Sequence, residues 1–194
     1  MMKTENSIKI KTPQEIDVMR HAGGVLADVV EELKSSLKSG MTTRDIDVIA
    51  EDLLNAHKVK PAFKGYRGFP CCTCISVNDQ IVHGIPGKRV VQDGDVVSVD
   101  IGLILDGFYS DTAFTSGIGG ISEELSRLID VTKQSLCEGI KKAVDGNYLS
   151  DISAAIQTFV EAKGFSVVRD FVGHGIGREL HEDPEVPNFG PPHC

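Results

Sequence analysis

An α+β fold of two related halves is predicted by three features of this 194-residue chain. Apolar positions at helical spacing fill 12–40, 42–58, 122–144 and 150–163, the first of them with caps. Residues 74–113 instead alternate like strands, broken by Asn78-Asp79, Pro86-Gly87, Asp93-Gly94 and Asp106-Gly107. A shift of 106 residues then lays one half on the other: Gly40 on Gly146, Asp45-Ile46 on Asp151-Ile152, Leu53-Leu54 on Phe159-Val160.

The first helix opens with Thr12 and Glu15 as a capping box and Pro13 at its first turn, and Gly40 is expected to follow its end. Gly23-Gly24 lowers its propensity and leaves room for a close neighbour. The second helix gathers Ile46, Ile49, Leu53 and Leu54 on one side. "CISVN", "IVHGI", "DVVSVDIGLIL" and "FYSDTAFT" read as strands, and "FSVVRDFVG" returns to strand after two more helices.

Composition bounds the function. A 41% apolar and 25% charged chain is an ordinary globular one, read here as a single domain over 1–194. A net charge of −8 argues against nucleic-acid and membrane-surface binding. The first ten residues carry no apolar leader and no later run approaches a membrane span, so the expected location is cytoplasmic. Five cysteines, an odd number, fit reduced thiols. Cys71 and Cys74 spell CxxC without a second ligand pair, and packing or pocket lining is the better reading.

The densest chemistry lies in "DVVSVDIGLILDGFYSDTAF". If Asp106-Gly107 is the hairpin turn, Leu105 faces Phe108, Leu103 faces Ser110 and Gly102 faces Asp111. Asp100 then shares a face with Asp111, and Gly102 between them has no side chain to fill the space. Facing carboxylates repel unless a proton or a cation sits between them. A solvated hairpin face would place both in water, but this strand is apolar on both sides, and a buried aspartate needs a partner. The reading is a divalent metal site with oxygen ligands.

His174, set among glycines in "DFVGHGIGREL", supplies an imidazole for the same centre, its glycines allowing close backbone approach. "VNDQIVHGIP" adds His83 and "HEDP" adds His181. The spacing is not HExxH, and neither GxSxG nor GxxxxGK[ST] occurs, so a single-helix zinc site, a hydrolase elbow and a phosphate loop have no residue basis.

With those segments, "IKIKTPQEIDVMRHAGGVLADVV" and "IQTFVEAKGFSVVRDFVGHGIGRELHEDPEVPNFG", the chain resembles the type I methionine aminopeptidases, which have the pita-bread fold. The resemblance covers nearly all of it and includes no N-terminal zinc-binding extension. It implies a pseudo-two-fold antiparallel sheet covered by helices, and metal-assisted removal of the initiator methionine from nascent proteins. Asp100, Asp111 and His174 are then metal ligands, with Asp111 bridging two ions. His83 and His181 contact substrate at the scissile bond and act as catalytic histidines. Phe63, Tyr66, Phe69 and Cys74 line a methionine pocket, a good match for a thioether, and Leu180 stands where an aromatic is common.

The implied cofactors are divalent ions (Mn, Fe, Co or Zn), two per site in the family and one or none in this chain. The implied partners are the N-terminal peptides of nascent proteins and the ribosome, with the chain a monomer. The family also uses two glutamates on strands beyond "VPNFG", one of them a proton shuttle, and no match for them is found here. The last strands are therefore expected to be missing, with turnover weakened. The alternative is an inactive pita-bread module that binds peptide N-termini or a protein partner.

Overall fold

A computed structural model describes residues 8–194; Met1–Ser7, part of the stretch read as lacking an apolar leader, lie outside it. The described residues form two compact units. One holds Ile10–Ser122 with Ile176–Leu180, and the other holds Glu123–Gly175 with His181–Cys194.

In the first unit, α1 (Pro13–Ser36) starts where the sequence predicts, with Thr12 and Glu15 in a reciprocal capping box. It buries Ala22, Leu26, Val29 and Leu33, one stripe at helical spacing. Helix α2 (Thr43–Ala56) buries Ile46, Ala50 and Leu54. Beneath them β3 (Val96–Leu105) lies antiparallel to β1 (Lys60–Pro61) and β2 (Thr73–Val77) on one side and to β4 (Phe108–Gly117) on the other. Val97, Val99, Ile101 and Leu103 of β3 alternate into this core and are fully buried.

The β3–β4 turn is the predicted one. Asp106 and Gly107 both have positive φ, 49° and 80°, the backbone of a primed hairpin turn. Leu105 pairs with Phe108, Leu103 with Ser110 and Gly102 with Asp111.

Three expectations need correction. Gly40 does not directly follow α1, which ends at Ser36 with Leu37 as its C-cap; its φ of 91° serves the turn into α2, where its N–H donates to Val91 O. "IVHGI" is a loop rather than a strand, because Pro86 removes a donor and His83 takes a φ of 61°. Of "FSVVRDFVG" only the last residue enters a strand, β5 (Gly173–Gly175), which pairs with β6 (Glu182–Val186). A strand needs a neighbour for its donors and acceptors, and β5 has one over three residues.

The second unit packs α3 (Glu123–Ile140) on α4 (Leu149–Ala162). Gly139 makes room for Ile156, whose side chain would lie 2.9 Å from an added Cβ. The internal repeat holds residue by residue. Helices α2 and α4 are each 14 residues and start at equivalent positions, Thr43 and Leu149. Gly40 and Gly146 have φ of 91° and 89°. Asp45 and Asp151 each accept the N–H of the N-cap residue, at 2.8 and 3.0 Å. The Val59 N–H bond to Leu54 O recurs as Phe165 N–H to Val160 O.

Candidate metal centre and adjoining pocket

The hairpin register sets Asp100 and Asp111 diagonally across one face of β3–β4. Two carboxylates this near disfavour each other's ionisation, which favours a proton on one of them. Burial, and then the charge of Asp111, push the Asp100 carboxyl up to about 8. The face is therefore poised to take positive charge, either that proton or a cation in its place. The donors are hard oxygens on two rigid strands, and their chemistry fits a divalent ion.

Gly102, between the two aspartates, is a glycine for a local reason. A Cβ there would come within 3.0 Å of Ala62 Cβ, Phe63 Cε1 and Ser110 O. The chain after β1 presses into that gap, which brings Phe63 to the carboxylates' face. On the other side of β3, Cys74 pairs with Asp100. Its thiol is pushed up to about 12, first by burial and then by Asp100 and Asp111. Cys74 is thus a neutral, polarizable wall and not a nucleophile.

Ala62, Phe63, Cys74 and Leu180 form a buried apolar cluster, with Tyr66, Phe69, Ile104, Tyr109 and Ile176 packed against it. The four residues expected to line a pocket come together here, and Leu180 joins them. Sequence reasoning missed Ile104 and Tyr109, although strand parity could have found them. Ile104 follows Asp100 and Gly102 at a spacing of two, and Tyr109 precedes Asp111 by two. Ile176 gives no such local signal. Cys71 and Cys72 are also buried and unbridged, and the CxxC is packing, as expected.

His83 lies in the exposed loop after β2. The next residue, Gly84, is pressed so hard on β2 that an added Cβ would sit 2.0 Å from Ile75 O. Its carbonyl accepts the Ile75 N–H and its N–H donates to Ser76 Oγ, so the loop is tied down beside His83. In the second unit, His174 and His181 stack obliquely, with ring centroids 4.3 Å apart. His174 Nδ1 is 2.9 Å from Gly175 O; a carbonyl only accepts, so Nδ1 carries the proton and Nε2 is the basic nitrogen in the neutral ring. The glycines beside His174 have a reason other than the expected one. A Cβ on Gly175 would lie 2.5 Å from Asp183 O, and one on Gly173 would lie 3.1 Å from Val186 O. Both let β5 approach β6. Among the described residues, no three His, Cys, Asp or Glu side chains form a cluster ready to hold an ion.

A family model for metallopeptidase family M24 matches residues 17–193. The chain belongs to that family. Within M24 it groups with the methionine aminopeptidases. It is 55% identical over 185 residues to the methionine aminopeptidase of Clostridium perfringens, a match covering 95% of this chain and 74% of the relative. It is 50% identical to methionine aminopeptidase 1 of Bacillus subtilis, covering 94% and 73%. The crystal structure of the Thermotoga maritima methionine aminopeptidase superposes with a TM-score of 0.94 at 44% identity, over 97% of this chain and 76% of that one. Prolidase from Pyrococcus furiosus, at 21% identity and a TM-score of 0.81, shares the fold alone. The M24 fold is thus the pita-bread fold that the sequence predicts. No helix among the described residues is long and apolar enough to cross a membrane.

Proposed function

We propose that this M24 chain removes the initiator methionine from nascent proteins, at a divalent centre on Asp100 and Asp111 beside a methionine pocket. The observation that carries the reading is a neutral, sulfur- and aromatic-lined cluster around Phe63 and Cys74, set against a half-buried carboxylate pair. A thioether side chain suits such walls better than a charged one. The relatives that match along the chain are methionine aminopeptidases.

Asp100 and Asp111 would hold the ion, Mn, Fe, Co or Zn, with Asp111 bridging where two are bound, and His174 would add an imidazole through Nε2. A divalent ion there supplies polarisation of the scissile carbonyl and activation of water. Phe63, Tyr66, Phe69, Cys74 and Leu180 orient the first side chain and exclude water from it. His83 and His181 are assigned to the scissile bond, where they donate hydrogen bonds or move a proton. These assignments of His83, His174 and His181 are supported by the matching sequence segments. The M24 match runs through residues of both units, which supports one catalytic domain over 1–194. The expected substrate is the N-terminal peptide of a nascent chain, met at the ribosome by a monomer in the cytoplasm.

Methionine release from Met-Ala-Ser is expected to need both the ion and its imidazole, so His174→Ala should lower it about a hundredfold or more. A Met-Ala-Ser peptide should perturb the NMR signals of Phe63, Tyr66, Phe69 and Leu180, whereas Lys-Ala-Ser should not. Equal perturbation by both peptides would refute the substrate reading. Undiminished release in His174→Ala would refute the metal reading.

A further inference from the structure

The segment Ile176–Leu180 supplies two members of the apolar cluster, Ile176 and Leu180, yet contains no helix or strand. Irregular segments are held by specific ties or not at all. One tie is to the backbone: Tyr109 N–H donates to Gly177 O at 2.8 Å. The other comes from Arg178. Its Nε and Nη2 both donate to Glu15 Oε1, at 3.3 and 2.9 Å. Its guanidinium carbon also lies 4.4 Å from the centre of the Phe108 ring.

Both anchors are themselves fixed. Glu15 is locked into the α1 capping box by the Thr12 N–H at 2.9 Å. That bond, and then Arg178, hold its carboxyl below the usual carboxylate range, so it stays ionised. Phe108 is buried, pairs with Leu105 at the hairpin turn, and immediately precedes Tyr109, a pocket residue. The guanidinium thus joins three segments distant in sequence: the start of α1, the hairpin tip and the pocket wall. A planar fork that stacks and donates together does this where a lysine cannot.

We propose that Arg178 is a positioning residue that clamps Ile176–Leu180 onto the apolar cluster and so sets how tightly the pocket holds a methionine side chain. The ligand class rests on the function proposed above; the clamp itself does not.

The test compares the full chain with Arg178→Gln and Arg178→Lys, by amide hydrogen exchange and by calorimetric titration with L-methioninol and, separately, with manganese(II). In Arg178→Gln the Tyr109 amide is expected to exchange about tenfold faster, while the Val97 and Val99 amides in mid-sheet keep their protection. Methioninol should bind about tenfold more weakly with manganese affinity unchanged, and Arg178→Lys should fall between. Unchanged Tyr109 protection in Arg178→Gln would overturn the proposal. So would faster exchange throughout β2–β4 with both ligands weakened together, since that marks a general structural role. If the wild-type chain binds no methioninol while Tyr109 opens in Arg178→Gln, the pocket reading fails and the clamp stands.

Discussion

In metal-free buffer the protein is expected to lose stability as pH rises from about 4 to about 8, the window set by the raised Asp100 carboxyl. The folded state keeps a proton on Asp100 up to about pH 8, because burial and the Asp111 charge disfavour its ionisation, whereas the unfolded chain releases it at the ordinary carboxylate value of 3.8. Between those values the native state binds more protons than the unfolded state, so raising the pH favours unfolding. At about 1.4 kcal/mol per pKa unit, the full window is worth up to about 6 kcal/mol. Asp45, Asp95 and Asp151 are held below the usual carboxylate value by hydrogen bonds, first from Thr42, Gln92 and Tyr148 respectively. Their contribution has the opposite sign and is lost only in acid, below this window. A divalent ion replaces the proton, so it should flatten the profile and bind more tightly as pH rises. Urea denaturation in EDTA across this range checks the effect. Asp100→Asn should abolish the slope, and a wild-type profile already flat would contradict the proton on Asp100.

Asp47→Ala is expected to cost roughly 3–5 kcal/mol, most of the stability of an ordinary domain. Asp47 is 6% exposed, and its Oδ1 accepts Cys72 N–H, Thr73 N–H and Thr73 Oγ–H at 3.0, 2.9 and 2.8 Å. Alanine leaves those three donors buried without that acceptor, and each orphan costs about 1–3 kcal/mol before any relaxation. Asn keeps an acceptor oxygen and should lose about half as much. These donors begin β2, next to Cys74 and its partner Asp100, so the loss reaches the pocket. Chemical denaturation measures it, with the exposed Asp52→Ala as the control expected within about 0.5 kcal/mol of wild type.

The readable parts of the sequence were those in which a short-range rule decides. A turn that needs two positive φ values selects Asp106-Gly107, and parity then places Asp100, Gly102 and Asp111 without further information. Capping chemistry marked the start of α1 and apolar spacing marked α2, and the repeat surfaced because Gly40 and Gly146 need the same left-handed backbone. What stayed hidden depends on distant partners. "IVHGI" has the composition of a strand, but Gly84 docks on β2 with His83 in a left-handed conformation. "FSVVRDFVG" has the apolar residues of a strand, but only its last residue, Gly173, is paired. The glycines around His174 pointed to close approach, but the neighbour they approach is the β6 backbone. Ile176 and Arg178 acquire their places from α1 and the hairpin, more than sixty residues away in sequence.

The central claim is a divalent centre on Asp100 and Asp111 with His174 as its imidazole. Calorimetric titration with manganese(II) tests it most directly, on the 194-residue chain and on Asp111→Asn and His174→Ala. With two carboxylates and one imidazole, the account predicts one ion per chain, bound weakly with Kd about 10⁻⁵–10⁻³ M, and lost in both variants. Two tightly bound ions, or binding that survives Asp111→Asn unchanged, would contradict it.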